Sequence, residues 1–390
     1  MNSIDKLVKK LHPDGVKWVK LGDHCDVLRG KRLTKSQLQD SGKYKVYHGG
    51  FEPIGNYDDY NREAKTIMVI NVGASAGTVG FSDKKFWSSD GCFCLSQNQE
   101  VNSKFLYYSL LLQEKKIKSK VRNAGIPTLD KSAVEDIEIP LPDIKIQKEI
   151  VHILNSFTCI ISKLDDAIKL RQKQYEYYRE KLFGTTLENC QELESIGLIK
   201  LVSFNSLGPI TRGKRFVRDD IKDFGQPCIH YGDMYTYYGV QASKTKTFLD
   251  RDFPKKMRYA KKGDVVIVGA GENNLDIGVG LAWSGEEPAV VHDACYILEH
   301  EQNPLYISYY LRTNIYHQQL KKNVSEGKIC SFSSEGLGKV LIPIPSLDRQ
   351  ADIVDILDEF ESTIEKLKKV KELRQKQYEY YREKLLTFEH

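Results

Sequence analysis

The sequence has no run of 18 or more apolar residues, so no membrane-spanning helix is expected. Its opening, MNSIDKLVKKLHPDG, lacks the apolar stretch of a secretory signal, which predicts a cytoplasmic chain. Clustered cysteines are missing as well. The eight are scattered, and their one close pair, Cys92 and Cys94, shares one face of a strand. That spacing suits neither a zinc pair nor a redox Cys-x-x-Cys, so reduced structural thiols are predicted. There is no G-x-x-x-x-G-K-[ST] loop, no Asn/Asp-Pro-Pro-Tyr/Phe segment of the kind amino-methyltransferases carry, and no G-x-S-x-G elbow. The nine histidines are not spaced as metal ligands. These absences argue against catalysis by this chain. The net charge is only +5, which admits a nucleic-acid partner where positive charge clusters.

What the sequence does have is an internal repeat. The 390 residues suggest two or three domains, and Arg171-Gln-Lys-Gln-Tyr-Glu-Tyr-Tyr-Arg-Glu-Lys-Leu182 recurs letter for letter at Arg374 to Leu385. At the same offset of 203 residues, IPLPDIKIQ from Ile139 matches IPIPSLDRQ from Ile342. Across 139–182 and 342–385, 25 of 44 positions are identical, so the chain is a tandem duplication. Upstream the halves agree only in echoes. Arg29-Gly-Lys-Arg32 answers Arg212-Gly-Lys-Arg215, Ser89-Asp-Gly-Cys92 answers His292-Asp-Ala-Cys295, and Tyr107-Tyr108 answers Tyr309-Tyr310. One framework thus carries two divergent domains, which predicts the same task on different targets.

The repeated segment reads as a long helix. Ile150, Leu154, Phe157, Ile161, Leu164, Ile168, Arg171, Tyr175, Tyr178 and Leu182 alternate in steps of four and three, a heptad seam. The second copy repeats it from Ile353 to Leu385. Asp143 and Ser346 are expected N-caps, and Gly184 is expected just past the first helix. Each helix needs a partner, and the other copy is the obvious one. Chain order predicts an antiparallel pair with a pseudo-two-fold axis. The expected fold is α+β, with two pseudo-two-fold-related globular domains separated by two long helices in an antiparallel coiled coil. The expected boundaries are domain one at 1–142, a spacer helix at 143–184, a linker at 185–198, domain two at 199–345 and a second spacer helix at 346–390. Each domain is expected to carry a helical stretch, Lys104 to Lys120 and Pro304 to Lys322, among irregular strands.

The candidate DNA contacts are basic and polar loop residues. In the first half they are Arg29, Lys31, Arg32, Lys35, Lys118, Lys120, Arg122 and Thr128. In the second they are Arg212, Lys214, Arg215, Arg218, Asn273, Asn274, Lys328 and Ser331. Lys and Arg neutralise phosphates, while Arg, Asn, Ser and Thr can address base edges. Each basic run also has a plainer reading as a solvated face. Val268-Gly-Ala-Gly-Glu-Asn-Asn274 resembles the opening of a dinucleotide loop, but Asn274 stands where the third glycine belongs. An enzyme using Gly269–Gly271 is therefore one alternative, and a coiled-coil adaptor without DNA binding is another. Letter-for-letter retention of the helix end follows if another protein grips it twice. The candidates for that grip are Tyr175, Tyr177, Tyr178, Arg179, Tyr378, Tyr380, Tyr381 and Arg382, with Tyr175 and Tyr178 also on the seam.

Leu11-His-Pro-Asp-Gly15 followed by Val19-Lys-Leu-Gly22, the Ile-Pro-x-Pro…Gln junctions at 139–147 and 342–350, and the twin Tyr-rich helices together resemble the specificity subunit of type I restriction-modification enzymes. The resemblance spans the whole chain. Asn123-Ala-Gly-Ile-Pro-Thr-Leu129 resembles that family's Gly/Ser/Thr loop, and its counterpart Ser325-Glu-Gly-Lys-Ile-Cys-Ser331 lacks the proline. The resemblance implies two target-recognition domains, each reading one part of a split sequence in double-stranded DNA. It implies two modification subunits methylating adenine with S-adenosylmethionine, and restriction subunits using ATP and Mg for translocation and cleavage. This chain itself would hold no catalytic site, cofactor or metal.

Overall fold

The computed structural model describes residues 3–252, 256–271, 277–325, 327 and 329–388. The chain divides into two compact units, residues 1–166 with 369–390, and residues 167–368. The division passes through both long helices, Ile144–Phe183 and Leu347–Leu386. Their ends follow local chemistry. Asp143 accepts the Lys145 N–H at 2.8 Å, and Ser346 accepts the Arg349 N–H at 3.4 Å, so the expected caps are formed. Gly184 ends the first helix at φ +89°, a left-handed conformation open to glycine and strained for other residues. The segment 185–198 carries a helix of its own, Leu187–Ser195, capped by Thr186 and anchored by buried Cys190.

The first unit holds a four-stranded antiparallel sheet in the order Cys25–Arg29, Cys92–Gln97, Thr66–Ile70, Val79–Ser82. Its central strand Thr66–Ile70 is apolar on both faces because both are covered. Ile67 and Val69 join one core cluster with Leu106 and Leu110, while Met68 points the other way onto Phe86 and Cys94. A smaller sheet joins Gly55–Tyr57, Tyr44–Tyr47 and Trp87–Ser88. The junction strand Glu138–Pro140 pairs antiparallel with Trp18–Lys20, returning the chain to the domain's start before the long helix begins.

The second unit repeats this connectivity. Its main sheet runs Ile210–Arg212, Cys295–Leu298, Val265–Val268, Gly280–Trp283, Gln241–Ala242. A second sheet orders Thr247–Leu249, Gln226–Ile229, Ala289–Val291 and Tyr259–Ala260, and Lys200–Ser203 pairs with the junction strand Leu341–Ile344. Each expected helical stretch is broken in two, Ser103–Leu112 then Glu114–Ser119, and Pro304–Tyr310 then Asn314–Lys321. In the second unit the break falls where Thr313 turns its hydroxyl onto the Tyr316 N–H and starts a new helix.

The long helices pack antiparallel within each unit. In the first, Phe157 stacks on Tyr381 at 5.4 Å, and further along Asp165 pairs with Lys371 at 2.7 Å. The partner recedes as the first helix advances. In the second, Tyr178 stacks on Phe360 at 5.5 Å and the Tyr175 hydroxyl donates to Glu361 at 2.9 Å. The two stacked pairs are the same two repeat positions, each met once per unit. Seam residues Ile150, Leu154, Ile353, Leu357, Ile364 and Leu385 are buried, as the heptad reading requires. The fold is α+β.

Candidate nucleic-acid interface

The two Arg-Gly-Lys-Arg segments form the same structure. In the first unit Arg29 ends a strand and the chain turns across the 88–92 segment. Gly30 N–H donates to Cys92 O at 3.2 Å and Lys31 N–H to Ser88 O at 2.9 Å. A Cβ on Gly30 would lie 2.0 Å from Ser89 O, so the approach admits only glycine. Arg29 Nε donates to Asp90 O at 3.3 Å, Arg62 donates to Arg29 O at 2.9 Å, and Trp87 Nε1 to Lys31 O at 2.7 Å. The turn is thus held from three sides while Arg29, Lys31, Arg32 and Lys35 stay exposed.

The second unit repeats four of these five bonds, all but the one from Trp87. Gly213 N–H donates to Cys295 O at 2.9 Å and Lys214 N–H to Val291 O at 3.0 Å. A Cβ on Gly213 would lie 2.2 Å from His292 O. Arg212 Nε donates to Asp293 O at 2.6 Å, and Arg258 donates to Arg212 O. Arg212, Arg215 and Arg218 are exposed, Lys214 half so. Arg212, Lys214, Arg215 and Lys256 line one recess with Met257 and Asp293. The two echoes noted in the sequence are therefore one packed element, basic turn against acidic turn. The acidic residue contributes its backbone oxygen, which leaves the arginine charge available.

Further loops join this element through backbone bonds. Asn71 N–H donates to Gly91 O at 3.1 Å, and Leu129 N–H to Asn71 O at 2.8 Å. Correspondingly, Gly269 N–H donates to Ala294 O at 2.7 Å, and Phe332 N–H to Gly269 O at 3.2 Å. Thr128 and Ser331 thereby lie on the hairpins that flank the two turns, with Arg122 opposite Thr128. Not every candidate cation is free. Lys118 pairs with Glu114 at 2.6 Å, Arg122 with Asp130 at 2.7 Å, and Lys120 donates to Ala133 O at 3.2 Å. Exposed pairs of this kind contribute about 0–1 kcal/mol and can be exchanged for a phosphate. Asn273, Asn274 and Lys328 lie outside the described residues.

Sequence reasoning missed the histidines here. His48 Nδ1 stands 3.3 Å from Asp90, and His292 Nδ1 3.2 Å from Asp293. His230 and His292 pack 4.7 Å apart, and burial pushes both below the usual imidazole range. Neutral rings beside a basic turn can donate or accept hydrogen bonds at base edges. No spacing rule would have found them, since strand pairing brings them together.

The aromatic helix ends divide by burial. Tyr175 and Tyr378 are 5 % and 6 % exposed, stacked under Arg179 and Arg382. Those four serve packing within their own units. Tyr381 and Tyr178 stack on phenylalanines, whereas Tyr177 and Tyr380 remain about 60 % exposed. Leu170 and Leu373, one heptad earlier on the same face and also exposed, were not singled out.

Among the described residues, the glycine loop does not lead into the helix that a dinucleotide site needs. Ala270–Gly271 is a strand paired with Cys330–Phe332, and the next described element is the strand Gly280–Trp283 rather than a helix. Among the described residues no cluster of His, Cys, Asp or Glu is arranged for a metal, and no helix is long and apolar enough to cross a membrane.

The model of the type I restriction modification DNA specificity domain matches twice, over residues 13–170 and 199–375. The chain belongs to the type I restriction-modification specificity subunit family. A Haemophilus influenzae chain named as a type I restriction enzyme specificity subunit is 29% identical, the match covering 98% of each chain. The MjaVIII specificity subunit of Methanocaldococcus jannaschii is 25% identical, covering 93% of this chain and 91% of its own. In fold, the S subunit crystal structure from M. genitalium is similar at a TM-score of 0.60 and 22% identity, covering 96% of this chain and 97% of that one. Specificity subunits are the non-catalytic, DNA-recognising members of their systems, and they bind no cofactor themselves. Neither the nucleotide-enzyme nor the adaptor alternative finds support in these relatives.

Proposed function

We propose that this specificity subunit reads a two-part target in double-stranded DNA, with residues 1–142 and 199–345 each reading one part. The segments 143–184 and 346–390 act as spacer helices and 185–198 as the linker. Two modification subunits grip the repeated helix faces around Tyr177 and Tyr380 and methylate adenine with S-adenosylmethionine. Restriction subunits add ATP- and Mg-dependent cleavage, and the assembly works in the cytoplasm.

The carrying observation is the basic turn built twice on the same four bonds, around Gly30 and around Gly213, with exposed arginines on each. Those side chains suit phosphates, which set register, while the divergent loops beside them suit base edges, which set sequence. Thr128 and Ser331 belong to the loop set, as do Asn273, Asn274 and Lys328 by their positions in the sequence. Exchange of residues 1–142 for the matching domain of a relative tests the reading. Sequencing of methylated sites should show one half of the target replaced and the other retained. A change in both halves rejects one-domain, one-half reading.

A further inference from the structure

Two isoleucines stand out on the surface just described. Ile126 is 70 % exposed and Ile329 62 % exposed. They occupy the same repeat position, 203 residues apart, although their neighbours have diverged from Asn123-Ala-Gly to Glu326-Gly-Lys and from Pro127 to Cys330. Scattered exposed apolar residues are ordinary on any protein. Exposure of the same side chain at the same position of two diverged domains is not scatter.

Hydrogen-bonded backbone adjoins both. Ile126 follows Gly125, whose φ of +85° makes the tight tip, and Arg122 and Thr128 bridge across its base. Thr128 Oγ1 donates to Ile126 O at 2.9 Å, and Gly73 N–H donates to Pro127 O at 2.9 Å. Ile329 directly precedes the strand Cys330–Phe332, which pairs on one side with Ala270–Gly271 and on the other with Val324–Ser325. Each isoleucine is therefore presented by backbone that is bonded, through Asn71 or Gly269, to the turn facing the basic motif.

We infer that Ile126 and Ile329 are specificity-determining residues that make apolar contacts with nucleobases, one in each half of the target. This rests on the DNA-reading assignment above. A phosphate offers nothing to an isoleucine, whereas base surfaces do, the thymine methyl above all. The arginines and lysines alongside hold the strand, and the isoleucine discriminates.

The test uses the full chain assembled with its modification subunits, with binding measured on the motif found by methylation sequencing and on random duplex. Ile126→Ser should weaken binding to the motif by about tenfold or more. Binding to random duplex and the salt dependence of motif binding should not change, because no charge is lost. Ile126→Val should retain most of the affinity. Methylation should relax within the first half only, and Ile329→Ser should relax the second half only. Unchanged motif affinity in Ile126→Ser, or an equal loss on motif and random duplex, overturns the inference. A wild-type assembly that does not distinguish motif from random duplex overturns the DNA-reading assignment instead. A thermal melt confirms that each variant is folded.

Discussion

Gln147 Oε1 accepts the Asn102 N–H at 2.8 Å while its own Nε2 donates to Pro142 O at 2.8 Å. The side chain is fully buried and ties the first helical stretch of the domain to the start of the long helix. Gln350 repeats both bonds, to Asn303 at 3.0 Å and to Pro345 O at 3.0 Å. This is why glutamine closes both Ile-Pro-x-Pro…Gln junctions. Gln147→Ala leaves a buried donor and acceptor unpaired and should cost about 1–3 kcal/mol, as should Gln350→Ala. Denaturant titration measures this, and a loss under 0.5 kcal/mol would show that water replaces the amide.

Gly30→Ala and Gly213→Ala each drive a methyl group into a backbone carbonyl, and neither carbonyl can move without its turn. Each variant should fold with a lowered melting temperature and lose recognition of its own half of the target. Methylation-site sequencing distinguishes the halves. Retained two-part recognition by both variants would detach the turn from DNA reading.

Joint conversion of Arg29, Lys31 and Arg32 to Ala should weaken DNA binding and flatten its salt dependence by up to about 0.9 per lost phosphate contact. Arg212, Lys214 and Arg215 should behave alike in the second half. An unchanged slope would return these residues to the role of a solvated face.

One heptad added to each long helix keeps the seam in register and lengthens each by about 10 Å, near three base pairs. Three base pairs also rotate the duplex by roughly 100°. The variant should recognise its two halves at longer spacing or lose paired recognition. Undiminished methylation at the original spacing would show that the helices do not measure distance.

Burial drives the His300 imidazole down from 6.5 to about 4. Below pH 6.5 the unfolded chain takes up a proton that the folded chain refuses until about pH 4. This group therefore lowers stability as pH falls through that window, by on the order of 3 kcal/mol, and has no effect above it. Replacement by Asn, whose oxygen can still accept the Gln302 N–H, should flatten the stability profile between pH 6.5 and 4. An unaltered profile would assign the acid sensitivity elsewhere.

The sequence by itself determined what is periodic or repeated. The seam from Ile150 to Leu182 and its copy, the caps Asp143 and Ser346, and the stop at Gly184 depend on neighbours a few residues away. Those contacts are written in local spacing. Duplication further implied two readers, since a copied framework carries its task with it. Tertiary structure alone decided which separated residues meet. Arg29 finds Asp90, and Arg212 finds Asp293, because each pair flanks antiparallel strands whose register no local pattern encodes. Tyr175 and Tyr178 both lie on the seam that the sequence shows, yet Tyr175 is buried beneath an arginine and Tyr178 is 41 % exposed. That division follows from the turn of the helix against its antiparallel neighbour, which the letters alone do not contain.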